Sequence, residues 1–274
     1  MIAAVKSEFR KLFSTRMWWV LAICAAGYLA FIGLTMAFSI QFAARNPELA
    51  GGGGPGLPAG DQTAVLVYSM AGSMAYVFPL LIGALSVTQE YRHKTITPTF
   101  LAEPRRWVVL GAKLLASLPM GVAYGLVCLV GMVAPSALVF ALMDGSTALG
   151  SADTWAFFGR ALLDFALWAP LGVAVGALIR SQVAAIVAVL AVTQFVEPIL
   201  RALPMLTGWD WKWTEFLPGA AGDAIQGASF YTSMLGAGGS SAALPWGLAA
   251  LVLAGWAALF AGIAYPASWR RDIS

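Results

Sequence analysis

Residues 17–39 read MWWVLAICAAGYLAFIGLTMAFS, 23 consecutive positions without a charge. A helix needs about 20 mainly apolar residues to cross the roughly 30 Å hydrocarbon core of a bilayer, so this run is long enough to span. Lys6, Arg10, Lys11 and Arg16 precede it, as basic residues precede the apolar core of a secretory signal. That core is only about 7–15 residues long, and the run therefore reads as an uncleaved first span.

Working outward, five more apolar runs follow at about 63–87, 107–143, 155–179, 183–203 and 243–265. Over all 274 residues, 60% are hydrophobic and 11% charged, against about 25% charged in a typical soluble domain. The expectation is an all-α polytopic membrane protein with six transmembrane helices. Pro119 and Pro135 are expected to kink or divide the long third run, because proline removes an amide donor from a helix. Upstream, Ile2, Val5, Phe9, Leu12 and Phe13 recur at helical spacing opposite Lys6, Arg10 and Lys11. This pattern predicts an amphipathic helix over 1–16 lying in the membrane interface. The domain order is then this helix, a six-span body over 17–265 and a tail over 266–274. Cys24 and Cys128 each sit inside an apolar run and define neither a disulfide framework nor a metal site. The glycine-rich stretch at 51–60 lacks the Gly-Lys-Ser/Thr closure of a phosphate loop and reads as a flexible outer linker.

Orientation follows from lysine and arginine in the short loops. With the N-terminus inside, the inner segments hold Lys6, Arg10, Lys11, Arg16, Arg92, Lys94, Arg105, Arg106, Arg180, Arg270 and Arg271, and the outer loops hold only Arg45 and Lys212. Eleven against two places both termini and residues 88–106 in the cytoplasm. Trp18, Trp19, Trp107, Trp155, Trp246 and Trp269 fall at run ends, as an aromatic belt requires.

The loop 88–106 is the most polar inner segment. Thr97 and Pro98 resemble an N-cap and first helical residue, and Pro104 forces an end. The result is a short helix over 98–103 that offers Phe100 and Leu101. So short a helix does not persist alone in water and needs either the membrane surface or a protein socket. Inside the spans, Arg160 with Asp164 and Glu197 with Arg201 are spaced i,i+4, so each pair can neutralise itself along its own helix. Counted at about 1.5 Å per residue, both fall in the outer leaflet, where ionisable groups are candidate gate residues. Gly172 and Gly176 form a small-x-x-x-small pair suited to close helix packing.

Catalytic motifs are absent. His93 is the one histidine, no Walker A run occurs, and no carboxylates cluster on inner helix faces. No catalytic residue, metal site or nucleic-acid contact is expected. Three segments, however, carry a resemblance: Ser7-Glu8-Phe9-Arg10-Lys11-Leu12 with Ser14-Thr15-Arg16; Glu90-Tyr91-Arg92-His93-Lys94-Thr95-Ile96 with Pro98-Thr99-Phe100-Leu101 and Pro104-Arg105-Arg106, then Lys113; and Gly172 with Gly176-Ala177 and Arg180-Ser181-Gln182. Together with Glu197-Pro198 and Leu217-Pro218-Gly219-Ala220-Ala221, they resemble bacterial ABC-2 type transporter permeases along the whole chain. The glycine-rich first outer loop is not part of that pattern.

The resemblance implies the membrane subunit of an ABC exporter in the bacterial cytoplasmic membrane. It implies a second permease chain, identical or different, surrounding lipid, and two separate cytoplasmic ATPase subunits that hold the ATP and magnesium. It implies an interfacial connecting helix over 1–16, a coupling helix within 88–106, and a re-entrant segment within 204–241. The ATPase-coupling residues would be Glu90, Arg92, His93, Thr97, Pro98, Phe100, Leu101, Glu103 and Arg105. The rival readings are a stand-alone secondary transporter driven by an ion gradient and, with less support, an intramembrane enzyme.

Overall fold

The structure, a computed structural model, describes residues 2–46, 60–207, 212–228 and 244–269. The glycine-rich stretch 51–59, Trp209, Trp211, Arg270, Arg271 and much of the segments 204–241 and 266–274 lie outside the described residues. The described residues form helices and no strand.

In chain order these are α1 (Ile2–Ser14), α2 (Met17–Arg45), α3 (Asp61–Ala75), α4 (Val77–Arg92), α5 (Ile96–Ala102), α6 (Arg106–Leu142), α7 (Ala152–Leu178), α8 (Gln182–Ala191), α9 (Glu197–Thr207), α10 (Pro218–Gln226) and α11 (Trp246–Ala264). A π turn, Val192–Val196, joins α8 to α9, and another, Tyr265–Trp269, follows α11. Six helical stretches are long and apolar enough to cross a membrane: Met17–Arg45, Asp61–Arg92, Arg106–Leu142, Ala152–Leu178, Gln182–Leu203 and Trp246–Ala267. This is the architecture of a multi-pass membrane protein.

The spans are not equivalent. In Asp61–Arg92 and Ala152–Leu178, 72% of the most apolar stretch is buried, against 22–39% in the other four, so these two form the centre. Their closeness is a glycine effect. A Cβ on Gly172 or Gly176 of α7 would overlap the carbonyls of Leu80 and Ala84, and one on Gly83 of α4 would overlap that of Ala169. Without side chains at these points, the two backbones touch.

Two expectations about helix limits change. The third span is one uninterrupted helix of 37 residues with Pro119 and Pro135 inside it, roughly 55 Å long. An internal proline costs about 3 kcal/mol or more in a water-exposed helix. Here α2 packs along one flank of α6 and α7 along the other, and in a membrane the neighbouring helices hold the chain helical past the lost donor. The short loop helix begins at Ile96, not at Pro98, and ends at Ala102. Ile96 is buried and anchors its start, and Thr97 lies within the first turn without acting as a cap.

The two ends of the bundle differ. At one end, Arg92 donates to Gln182 (3.1 Å) and Arg106 to the Trp269 carbonyl (2.6 Å), beside α1 and α5. At the opposite end, Arg45 pairs with Asp144 (3.0 Å), Ser146 donates to Asp61, and the Tyr68 hydroxyl donates to the Thr147 carbonyl (2.8 Å).

Candidate functional site

Two polar clusters stand out, one at the Glu90 end of the central helices and one around their middle. The first joins four helices around a ring of alternating charge. Glu8 and Lys11 are three apart on α1, Glu90 is near the end of α4, and Lys113 lies two turns into α6. Lys113 contacts Glu8 at 2.6 Å and Glu90 at 2.9 Å, and Lys11 contacts the same two carboxylates at 2.7 and 3.0 Å. Lys11 also donates to the Thr99 hydroxyl of α5 at 3.2 Å, so the ring holds α1, α4, α5 and α6 together.

The Lys113 side chain is 2% exposed and that of Glu8 8%. Two charges taken from water are held only if they pair closely, and the ring supplies that pairing. Burial pushes the Glu8 carboxyl up, but Lys113 and Lys11 together outweigh it and hold the group below its usual range. Burial pulls the Lys11 ammonium down, and Glu8 and Glu90 more than reverse this, so it rises. Beside the ring, a cleft of about 320 Å³ opens between α1 and α4, lined among others by Gln89, His93 and Thr95.

The expected coupling residues divide. Glu90 turns inward into the ring, and Arg92 reaches Gln182 at the start of α8. Phe100 is not a free apolar tip: its ring meets that of Trp269 edge-on at 5.3 Å, and the Arg106 guanidinium lies over it at 5.1 Å. Leu101 remains 81% exposed, next to the exposed Thr97 and Pro98. Arg105 pairs with Glu103 at 3.0 Å, and this pairing holds the half-buried Glu103 carboxyl low. His93 closes the end of α4.

The second cluster surrounds α10. Among the described residues, neither i,i+4 pair expected inside the spans closes to ion-pair distance; the nearest partners lie on α10 instead. Arg201 pairs with Asp223 of α10 at 2.5 Å, and Ser73 of α3 donates to the other Asp223 oxygen at 3.0 Å. Glu197 accepts from the Gly219 and Ala220 amides at the start of α10 (3.2 Å for Ala220), where free N–H groups favour an anion. Asp164 accepts from the Gln226 amide at 2.7 Å. Arg160 lies beside Gly227, whose left-handed backbone (φ +77°) ends α10. An i,i+4 pair is worth only a few tenths of a kcal/mol, and α10 outcompetes both pairs by bringing its own donors and carboxylate.

A π turn, Val192–Val196, immediately precedes Glu197. Such turns shift the side chains that follow and often occur at functional sites. The Thr193 carbonyl within this turn accepts from the Tyr76 hydroxyl at 2.9 Å, and Tyr76 stacks on Trp168 at 4.4 Å. Asp223, Gln226, Ser73 and Tyr76 were not singled out from the sequence. The available signal was an Asp and a Gln three apart within the otherwise small, apolar 217–226.

Among the described residues, no group of three His, Cys, Asp or Glu side chains is placed to hold a metal ion. Compared with known proteins, the chain matches no family model and no curated sequence.

Proposed function

We propose that the chain is the membrane subunit of an ATP-driven exporter of the ABC-2 permease type, working with a second permease chain and two separate ATPase subunits. The observation that carries this reading is the attachment of α5. It is a helix of seven residues, too short to persist alone, yet it is tied through Thr99 and Lys11 to α1, and through the charge ring to α4 and α6. A push on α5 would therefore reach the central α4–α7 pair directly. Its exposed side, Thr97, Pro98 and Leu101 with Arg105 at the rim, fits a small apolar contact bordered by charge.

In this reading α1 lies in the inner membrane interface, with Ile2, Phe9 and Phe13 toward lipid, since all three are exposed. Val5 and Leu12 instead face the bundle, so the apolar residues of α1 divide between protein and lipid. The α1–α5 end is cytoplasmic, by the excess of lysine and arginine there. ATP-driven closure of the ATPase pair moves α5, and the spans rock between inward- and outward-facing states. The α10 cluster acts as the outer gate.

Affinity purification of the chain from its native membrane in mild detergent tests the proposal. A stoichiometric partner that binds and hydrolyses ATP is expected. A chain that purifies alone, and whose transport in vesicles proceeds without ATP, would overturn it.

A further inference from the structure

Asp164 sits near the midpoint of α7, 12 residues from Ala152 and 14 from Leu178. It is 1% exposed and, among the described residues, forms no ion pair. One neutral donor, the Gln226 amide, reaches Oδ2 at 2.7 Å; among the described residues Oδ1 has no donor in hydrogen-bonding geometry, although the Trp168 indole N–H lies nearby. Gln226 Oε1 and Trp168 Nε1 are also buried without a partner, and both residues are 1% exposed. Three unsatisfied polar atoms around one buried carboxyl are unusual, because buried polar groups are nearly always paired.

The surrounding charges do not relieve it. On α10, Asp223 is negative and already engaged by Arg201 and Ser73. On α7 itself, Arg160 is one turn away, with its guanidinium beside Gly227. On α9, Glu197 is bound to the α10 amides and Arg201 to Asp223. α3 faces the site with Gly72 and Ser73, α4 carries no charge before Glu90 at its far end, α6 carries none between Lys113 and its end, and α11 carries none. A lone ionised carboxylate in a dry interior is among the most unfavourable groups a fold can hold, and such a group neutralises instead.

We propose that Asp164 is a proton-binding site within the spanning bundle, occupied while α10 is docked and emptied when α10 withdraws. A proton is the cation that fits. A Cβ on Gly222 would lie 2.9 Å from Asp164 Oδ1 and 3.2 Å from Trp168 Nε1, so the α10 backbone closes directly over the carboxyl and leaves no space for a metal ion or an ammonium group. The helix that covers Asp164 packs Ala221 and Ile225 into the apolar core, but its contacts around the carboxyl are polar, through Glu197, Arg201, Ser73 and Gln226, and water can replace these. On withdrawal, water reaches Asp164 and takes its proton as hydronium. On closure, hydronium returns the proton, and the carboxylate becomes a neutral acid. This proposal rests on the six-span architecture and not on the ATPase partner.

Infrared spectroscopy of the purified chain in detergent at neutral pH tests it. The carbonyl stretch of a protonated carboxyl should be present, should move on labelling with isotope-enriched aspartate, and should vanish in Asp164→Asn but persist in Asp223→Asn. Thermal unfolding supplies a second reading. Folding that takes up a proton loses stability as pH rises, so the wild-type midpoint should fall from neutral to alkaline pH more steeply than that of Asp164→Asn. If Asp164→Asn does not fold, Asp164→Glu decides: its protonated-carboxyl band should remain but no longer move on labelling with aspartate. Absence of the label-sensitive band in the wild type, its persistence in Asp164→Asn, or stabilisation by sodium at fixed pH that Asp164→Asn abolishes would each overturn the proposal.

Discussion

Replacing Lys113 with methionine isolates the energetics of the charge ring. Lys113 is 2% exposed and holds Glu8 and Glu90 at 2.6 and 2.9 Å. Methionine keeps most of the volume and removes the charge, leaving two buried carboxylates to share Lys11. Breaking a buried ion pair from one side typically costs about 3–5 kcal/mol, because the other charge stays buried. Lys11→Met removes contacts of similar length, but the Lys11 side chain is 41% exposed, and solvent-screened pairs are worth about 0–1 kcal/mol. The expected order is therefore a large loss for Lys113→Met and a small one for Lys11→Met. Adding Glu8→Gln to Lys113→Met should recover part of the loss, since it removes one of the stranded charges, and a double-mutant cycle should return a coupling of about 1–3 kcal/mol. Reversible unfolding by denaturant in mixed micelles measures all three. Equal losses for the two lysine variants, or strict additivity in the cycle, would refute the reasoning.

Other consequences follow from the same geometry. Glu8 is held below its ordinary value of 4.5, so below that value the unfolded chain binds more protons and stability falls with acidification through the folded-state value; Glu8→Gln should flatten that part of a pH–stability profile. Gly172→Val would drive a branched side chain into the Leu80 carbonyl, and overpacking of this kind costs about 1–3 kcal/mol or more, read as a lowered unfolding midpoint. Arg201→Met removes the guanidinium that faces the buried Asp223, so it should destabilise the fold and raise hydrogen exchange in α10 ahead of the rest of the bundle.

The spans were legible because each is a long apolar run, and hydrocarbon enforces helix wherever such a run exists. Pro104 fixed the end of α5 for a similarly local reason. The α5 start moved because Ile96 is drawn into the bundle, a tertiary contact that local capping rules do not contain. Pro119 and Pro135 do not divide the third span, since the flanking helices decide whether a proline breaks a membrane helix. The charge ring was unreadable because its members come from positions 8, 11, 90 and 113, and only the packing of α1 against α6 brings them together. The i,i+4 rule failed for Asp164 and Arg201 because it describes an isolated helix, whereas α10 supplies competing partners. Phe100 read as an exposed tip because its cover, Trp269, is 169 positions further along the chain.

In the proposed mechanism the exposed side of α5 docks on an ATPase. A photoreactive amino acid at Leu101, which is 81% exposed, tests it most directly, with the same group at Leu138 of α6, 58% exposed, as a control. On irradiation in native membranes, the account predicts that the Leu101 probe joins the chain to a protein that binds ATP, and that the Leu138 probe does not. A Leu101 probe that labels lipid alone would contradict the account and place α5 on the membrane surface.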